Sequence, residues 1–278
     1  GNMKYGAKNQ KVVYSAPKAK QIIVGEQKIQ GLQLELVIVM SAGSAVEMPW
    51  LDKCKAMVHG YLCGQAGASA VLKVLLGEVN PSGKLSESYP VKYEDCSSAP
   101  YFPAKERTVE YREGLYVGYR YYDTVKVPVL FPFGFGLSYT TFAYSDLKVT
   151  DKEATFTLTN TGSMDGKHTV QIYFQSPYTD YDREHLVEKA AVELCGFDKK
   201  MIAAGETEHF EIRIEREDLI SYDANNLKTY IFEDGDYYFT VGKNAHDAVN
   251  NILALKGAQV DGRTDLADRW TNDRFETL

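Results

Sequence analysis

The chain has 278 residues, 44% hydrophobic and 25% charged, with a formal net charge of −7. That length suggests about two domains of ordinary water-exposed composition. The acidic balance disfavours nucleic acid or an anionic membrane as partner, since both select basic patches.

In chain order, Lys11–Ala16 reads as a short strand closed by Pro17, and Gln21–Gly25 as a second strand or short helix. Leu34–Met40 is a nearly continuous apolar run whose length and β-branching predict a buried parallel strand. Lys53–Leu76 carries a helical pattern interrupted near Gly64 and Gly67, with Ala70, Val71, Val74 and Leu75 on one apolar face. Gly77 stops that helix, and Asn80-Pro81-Ser82-Gly83 is a turn. Residues 84–110 read as loop, with Pro90, Pro100 and Pro103. Across 111–122 large side chains alternate, which predicts a β ribbon. Leu130–Phe142 (LFPFGFGLSYTTF) reads as a rigid connector, with Phe131, Phe133 and Phe135 buried between two domains.

From Thr141 onward the pattern is all β. Seven strands are expected: Leu147–Thr150, Ala154–Asn160, Thr169–Ser176, Val192–Lys199, Glu208–Glu215, Thr229–Glu233 and Asp236–Gly242. Turn signals recur between them, as in an immunoglobulin-like or fibronectin type III-like sandwich. The expected organisation is a partial α/β sandwich domain (αβα) over 1–110 and a connector ribbon and loop over 111–141. A β-sandwich follows over 142–257, then a polar tail or linker over 258–278. A doubly wound sheet normally has five or more strands, so the first region reads as an incomplete piece or one that packs on a partner.

The Gly64-Gln65-Ala66-Gly67 turn, Gly77–Leu85 (GEVNPSGKL), Tyr111–Asp123 (YREGLYVGYRYYD), the connector, Val170–Tyr173 and Leu194–Phe197 follow one another in order. Together they resemble the C-terminal half of glycoside hydrolase family 3, the β-glucosidase and β-xylosidase family. Cys63 and Ala66 depart from the family's proline and acid in the first of these motifs. The resemblance implies an α/β domain plus a fibronectin type III-like domain. In a parent protein it implies retaining hydrolysis of terminal β-linked glucose or related sugars. Such chemistry needs two carboxylates about 5–5.5 Å apart. In the family the nucleophilic aspartate lies in a (β/α)8 barrel. No run of eight βα units is present here, so the nucleophile is absent and the barrel is expected in cis or in trans.

The family's Gly-Glu-Gly-x-Asp-Arg loop, which holds the acid/base of β-glucosidase members, is also missing; Gly25-Glu26 is the nearest text and makes Glu26 the acid/base candidate. Glu47, in a Val-Glu-Met-Pro-Trp context after the apolar run, and Trp50 are the substrate-binding candidates. Against them stand a solvated surface carboxylate for Glu26, a helix N-terminal carboxylate for Glu47 and core packing for Trp50. Glu113 reads as an ion-pair partner of Arg112 or Arg120, and His59 is assigned no role.

Cys54, Cys63, Cys96 and Cys195 form no C-x-x-C pair and have no histidine at ligand spacing, so no metal, cofactor or disulfide framework is expected. A reducing, cytoplasmic location follows, with secretion left open. Two readings compete: the C-terminal half of a family 3 glycosidase, inactive alone, or a carbohydrate-binding or interaction module without the chemistry. Expected partners are a β-glucoside or oligosaccharide through the parent enzyme, the missing barrel and a further copy of the chain.

Overall fold

The structure is a computed structural model; it describes residues 11–14, 23–24, 36–103, 107–109, 111–150, 152–262, 264 and 266. The chain divides into two compact units, Gly1–Val79 and Asn80–Leu278.

The first unit is built on a four-stranded sheet in the order β2-β1-β3-β4, from β1 (Lys11–Tyr14), β2 (Ile23–Val24), β3 (Leu36–Met40) and β4 (Ala56–His59). β1 pairs antiparallel with both β2 and β3, while β3 runs parallel to β4 from Val37↔Ala56 to Met40↔His59. The apolar run is therefore a parallel strand, with Val37 and Met40 buried. The helical pattern expected over 53–76 holds only in its second half. Ala56–His59 is strand β4, and helix α1 is confined to Gly67–Leu75. β-branched Val58 pairs with Val39 of β3, and Gly60 and Gly64 end any helix that would begin earlier.

The second unit opens with β5 (Tyr89–Pro90), helix α2 (Tyr119–Val125) and β6 (Val129–Phe131), which pairs with β5. The ribbon expected over 111–122 is not formed. Gly114 and Gly118 take left-handed φ of 57° and 59°, which breaks the extended run, and Tyr119 begins α2. The large side chains then sort at helical spacing, and Tyr122, Asp123 and Thr124 become buried. Arg120 pairs with Glu193 at 3.4 Å rather than with Glu113.

The sandwich places β11-β8-β7 against β10-β9-β14. Its strands are β7 (Phe142–Val149), β8 (Glu153–Asn160), β9 (Gly166–Gln175), β10 (Glu193–Ile202), β11 (Thr207–Arg213) and β14 (Tyr238–Val241). Helix α3 (Asp180–His185) follows β9, and β12 (Ser221–Asp223) and β13 (Thr229–Ile231) form a separate hairpin. Period-two alternation sends Ala154, Phe156 and Leu158 of β8 inward against Val170, Ile172 and Phe174 of β9 and Phe210 and Ile212 of β11. The Phe156 and Phe210 rings stack with centroids 5.3 Å apart. A bulge between Leu194 and Gly196 kinks β10 where a Cβ on Gly196 would stand 2.5 Å from Ile212 Cγ2.

β9 is buried on both faces. Its other face, around Tyr173, is covered by helix α4 (Ala245–Leu255) through Ala245, Ala248, Val249 and Ile252. Asn244 caps α4 by accepting from the Asp247 amide at 2.8 Å. The connector lies on this face too. Phe131, Phe133 and Phe135 are each half-buried, and Gly134 is buried. Gly134 has φ +83°, and a Cβ there would fall 2.1 Å from Gln171 Oε1, so the strap can approach β9 only as glycine.

Candidate functional site

The parallel pair β3–β4 ends at Met40 and His59, and the loops leaving this end are where ligands gather in α/β sheets. Ser41 Oγ donates to Tyr61 O at 2.7 Å and ties the two loops together. His59 Nδ1 accepts from the Tyr61 amide at 3.3 Å, and the two rings lie 3.8 Å apart. The Tyr61 hydroxyl is buried and takes no hydrogen bond among the described residues.

Glu47 and Trp50 both sit on the loop after β3. Met48 is the buried anchor between them, and the Leu51 and Lys53 amides donate to Met48 O and Trp50 O, each at 3.0 Å. Glu47 is exposed and Trp50 half-buried. Glu26 lies outside the described residues.

The second unit holds two charge clusters that sequence reading missed. Lys189 is buried, with Nζ 2.7 Å from Asp182 Oδ2, in contact with Glu233 Oε2 and donating to Pro177 O at 2.8 Å. Thr179 caps α3 through a capping box with Asp182 and also donates to Glu233 Oε1 at 2.6 Å. Burial raises the Asp182 carboxyl against the pull of Lys189, whereas hydrogen bonds from Lys189 and Thr179 outweigh burial and hold Glu233 below its usual value. In the second cluster His246 lies between Asp123 and Asp261, 2.9 Å from each, beside a cavity of about 310 Å3. The local signals were the Thr179-x-x-Asp182 spacing of a capping box and Asn244 ahead of apolar residues at i, i+3 and i+4 spacing, each of which marks a helix start. The partners join over 123 and 44 residues of chain, which no periodicity reveals.

The GEVNPSGKL segment is a structural knot. Asn80 Oδ1 accepts from the Tyr139 amide at 2.9 Å and from Ser138 Oγ at 3.0 Å. Lys84 Nζ donates to Gly136 O at 2.7 Å, and Leu85 exchanges backbone hydrogen bonds with the Gly134 amide and Phe135 O, both at 2.8 Å. Lys199 on β10 reaches Ser82 O at 2.7 Å. The motif therefore fastens the connector to the sandwich.

Comparison with known proteins places these features. The glycosyl hydrolase family 3 C-terminal domain matches residues 14–139, and the fibronectin type III-like domain matches residues 168–245. The chain is 39% identical over 253 residues to thermostable beta-glucosidase B of Acetivibrio thermocellus, covering 88% of this chain and 32% of that protein. It is 35% identical to an exo-alpha-(1->6)-L-arabinopyranosidase of Bifidobacterium longum, covering 91% of this chain and 33% of that one. The structure of beta-glucosidase 3B from Thermotoga neapolitana in complex with glucose superposes with a TM-score of 0.70 at 34% identity, over 77% of this chain and 30% of that one. The structure of DesR, a beta-glucosidase from Streptomyces venezuelae in complex with D-glucose, gives 0.69 at 34%, over 76% and 27%. The chain thus spans about a third of the length of the curated relatives it matches.

Proposed function

Because this chain belongs to glycoside hydrolase family 3, carrying the family's C-terminal domain and fibronectin type III-like domain in order, we propose that it serves a retaining glycosidase acting on terminal β-linked glucose or related sugars. In this reading it supplies structure and one side of the sugar site, and the nucleophile comes from a barrel domain in cis or in trans. The observation that carries the reading is how the charges are used. Among the described residues, two carboxylate pairs converge on a shared partner, and each is closed around a basic side chain of the protein itself: Lys189 between Asp182 and Glu233, and His246 between Asp123 and Asp261. Retaining hydrolysis needs its two carboxylates about 5–5.5 Å apart with the glycosidic bond between them. Here a side chain already fills that gap. The loop with Glu47 and Trp50, at the C-terminal end of β3, is the part that would face the sugar. A reducing, cytoplasmic setting belongs to the same proposal, with secretion left open.

The sugar is left as a class, because the relatives include both beta-glucosidases and an arabinopyranosidase. The test is a chimera in which this chain replaces the matched third of the Acetivibrio thermocellus thermostable beta-glucosidase B. The chimera is expected to hydrolyse an aryl β-glucoside, and the chain alone is not. A chimera that elutes as one species and melts cooperatively, yet shows no turnover, would sink the proposal. Turnover by the chain alone, abolished by one Asp or Glu substitution, would sink it equally.

A further inference from the structure

After helix α4 the chain turns back on itself. Gly257 has a left-handed φ of 70°, Thr264 Oγ1 donates to Thr124 O at 2.7 Å, and Leu266 is buried. His246 stands at the centre of this return. Its Nδ1 is 2.9 Å from Asp123 Oδ1 on α2, and its Nε2 is 2.9 Å from Asp261 Oδ1 on the returning segment. Asn250, one turn further along α4, donates to Asp261 Oδ1 and accepts from the Asp261 amide, both at 2.9 Å.

A neutral imidazole has one N–H and one lone pair. It can donate to one of these carboxylates only by turning its lone pair toward the other. The imidazolium donates to both. A ring with a carboxylate oxygen 2.9 Å from each nitrogen is therefore in the geometry of the doubly protonated form. We propose that His246 is a protonation-controlled latch, which as imidazolium joins helix α2 to the returning segment 257–262 and as neutral imidazole releases it. Asp261, Gly262 and Thr264 form one wall of the cavity of about 310 Å3, so release would open that wall.

The charged groups around the ring agree with this. Asp123 faces it from α2 and Asp261 from the returning segment, and Lys126, at the end of α2, acts on Asp261. On its own helix the ring meets Asn250, while Asp247 is engaged by the Lys243 amide at 2.8 Å. The hydrogen bond to Asp123 raises the His246 pKa above its ordinary value against the opposing effect of burial. A group raised in the folded state contributes stability that is complete below its unfolded value, about 6.5, and is lost as pH rises through the folded value. Burial raises the Asp123 carboxyl against the pull of His246, so this group adds no loss of the latch on acidification.

The test uses the full chain. The His246 ring is titrated by NMR, and amide exchange over 257–262 is followed as protection factors, which removes the intrinsic pH dependence of exchange. His246 is expected to titrate above about 6.5, with protection falling roughly tenfold or more as pH passes its midpoint. His246→Gln should give low protection that no longer depends on pH. If that variant does not fold, Asp261→Asn, which suits the left-handed φ of 56° at this position, should lower the His246 midpoint and reduce protection near neutral pH. A His246 midpoint at or below about 6.5 would overturn the latch. So would protection that is equal on both sides of the midpoint, or an Asp261→Asn variant that changes neither quantity.

Discussion

The Phe133 ring stacks on Tyr119, with centroids 4.8 Å apart and planes 27° apart, and Tyr119 in turn meets Tyr173 edge-on at 6.2 Å. The connector is thereby joined to helix α2 and to the outer face of β9. The Phe133 amide donates to Ser88 Oγ at 3.2 Å, and the Ala245 amide donates to Phe133 O at 2.9 Å, so the strap is held on three sides. Emptying a fully buried phenylalanine site costs about 3–5 kcal/mol. Phe133 is half-buried, so Phe133→Ala is expected to cost about 2–3 kcal/mol in urea unfolding of the chain. A loss below about 0.5 kcal/mol, the range of an ordinary surface substitution, would reduce the connector to a loop.

Lys189 gives a second prediction. Its ammonium is the shared partner of Asp182 and Glu233 in a site where the lysine and Asp182 are closed to solvent. Removing one partner of a buried pair leaves an uncompensated charge, at about 3–5 kcal/mol. Lys189→Met should destabilise by that amount, and adding Asp182→Asn should recover part of it. An Asp182→Asn effect of the same sign and size with and without Lys189→Met would show that the two groups are not coupled.

The sandwich is expected to lose stability on acidification through His168. The Tyr144 hydroxyl lies 2.6 Å from His168 Nε2, and burial, aided by Lys84, Lys243 and Lys199, lowers the imidazole pKa to about 4. The unfolded chain binds this proton from about pH 6.5 downward and the folded chain resists it to about 4, so stability falls as pH drops through that interval. The fall should be on the order of 1–3 kcal/mol in chemical unfolding at stepped pH, and His168→Gln should remove most of it. The same slope in wild type and variant would assign the acid sensitivity elsewhere.

Much of this fold was legible because its signals are local. Thr155, Thr157 and Thr159 alternate with Phe156 and Leu158, and that period of two is strand β8 as observed. β9 was legible as a strand, yet its burial on both faces was not. The cover on its outer face comes from α4, which the strand-by-strand reading passed over although Asn244 and the apolar spacing mark it. The 111–122 stretch misled because a period-two reading ignores backbone sign, and glycines at 114 and 118 with positive φ undo the extended path. Strand β4 was hidden inside a helical pattern because four residues are too few to separate a strand from a helix by periodicity. At the site, Glu47 and Trp50 were legible as neighbours on one loop. The Asp123–His246–Asp261 bridge was not, because its ion-pair partners lie on three separate segments.

The central claim is that this chain supports a retaining glycosidase without holding its nucleophile. The most direct measurement is covalent labelling with a 2-deoxy-2-fluoro-β-glucosyl fluoride, read by intact mass and peptide mapping, on the chain alone and on the chimera with the Acetivibrio thermocellus enzyme. The account predicts no mass gain on the chain alone and one sugar on the chimera, on a peptide contributed by the relative. A labelled Asp or Glu within residues 1–278 would contradict it.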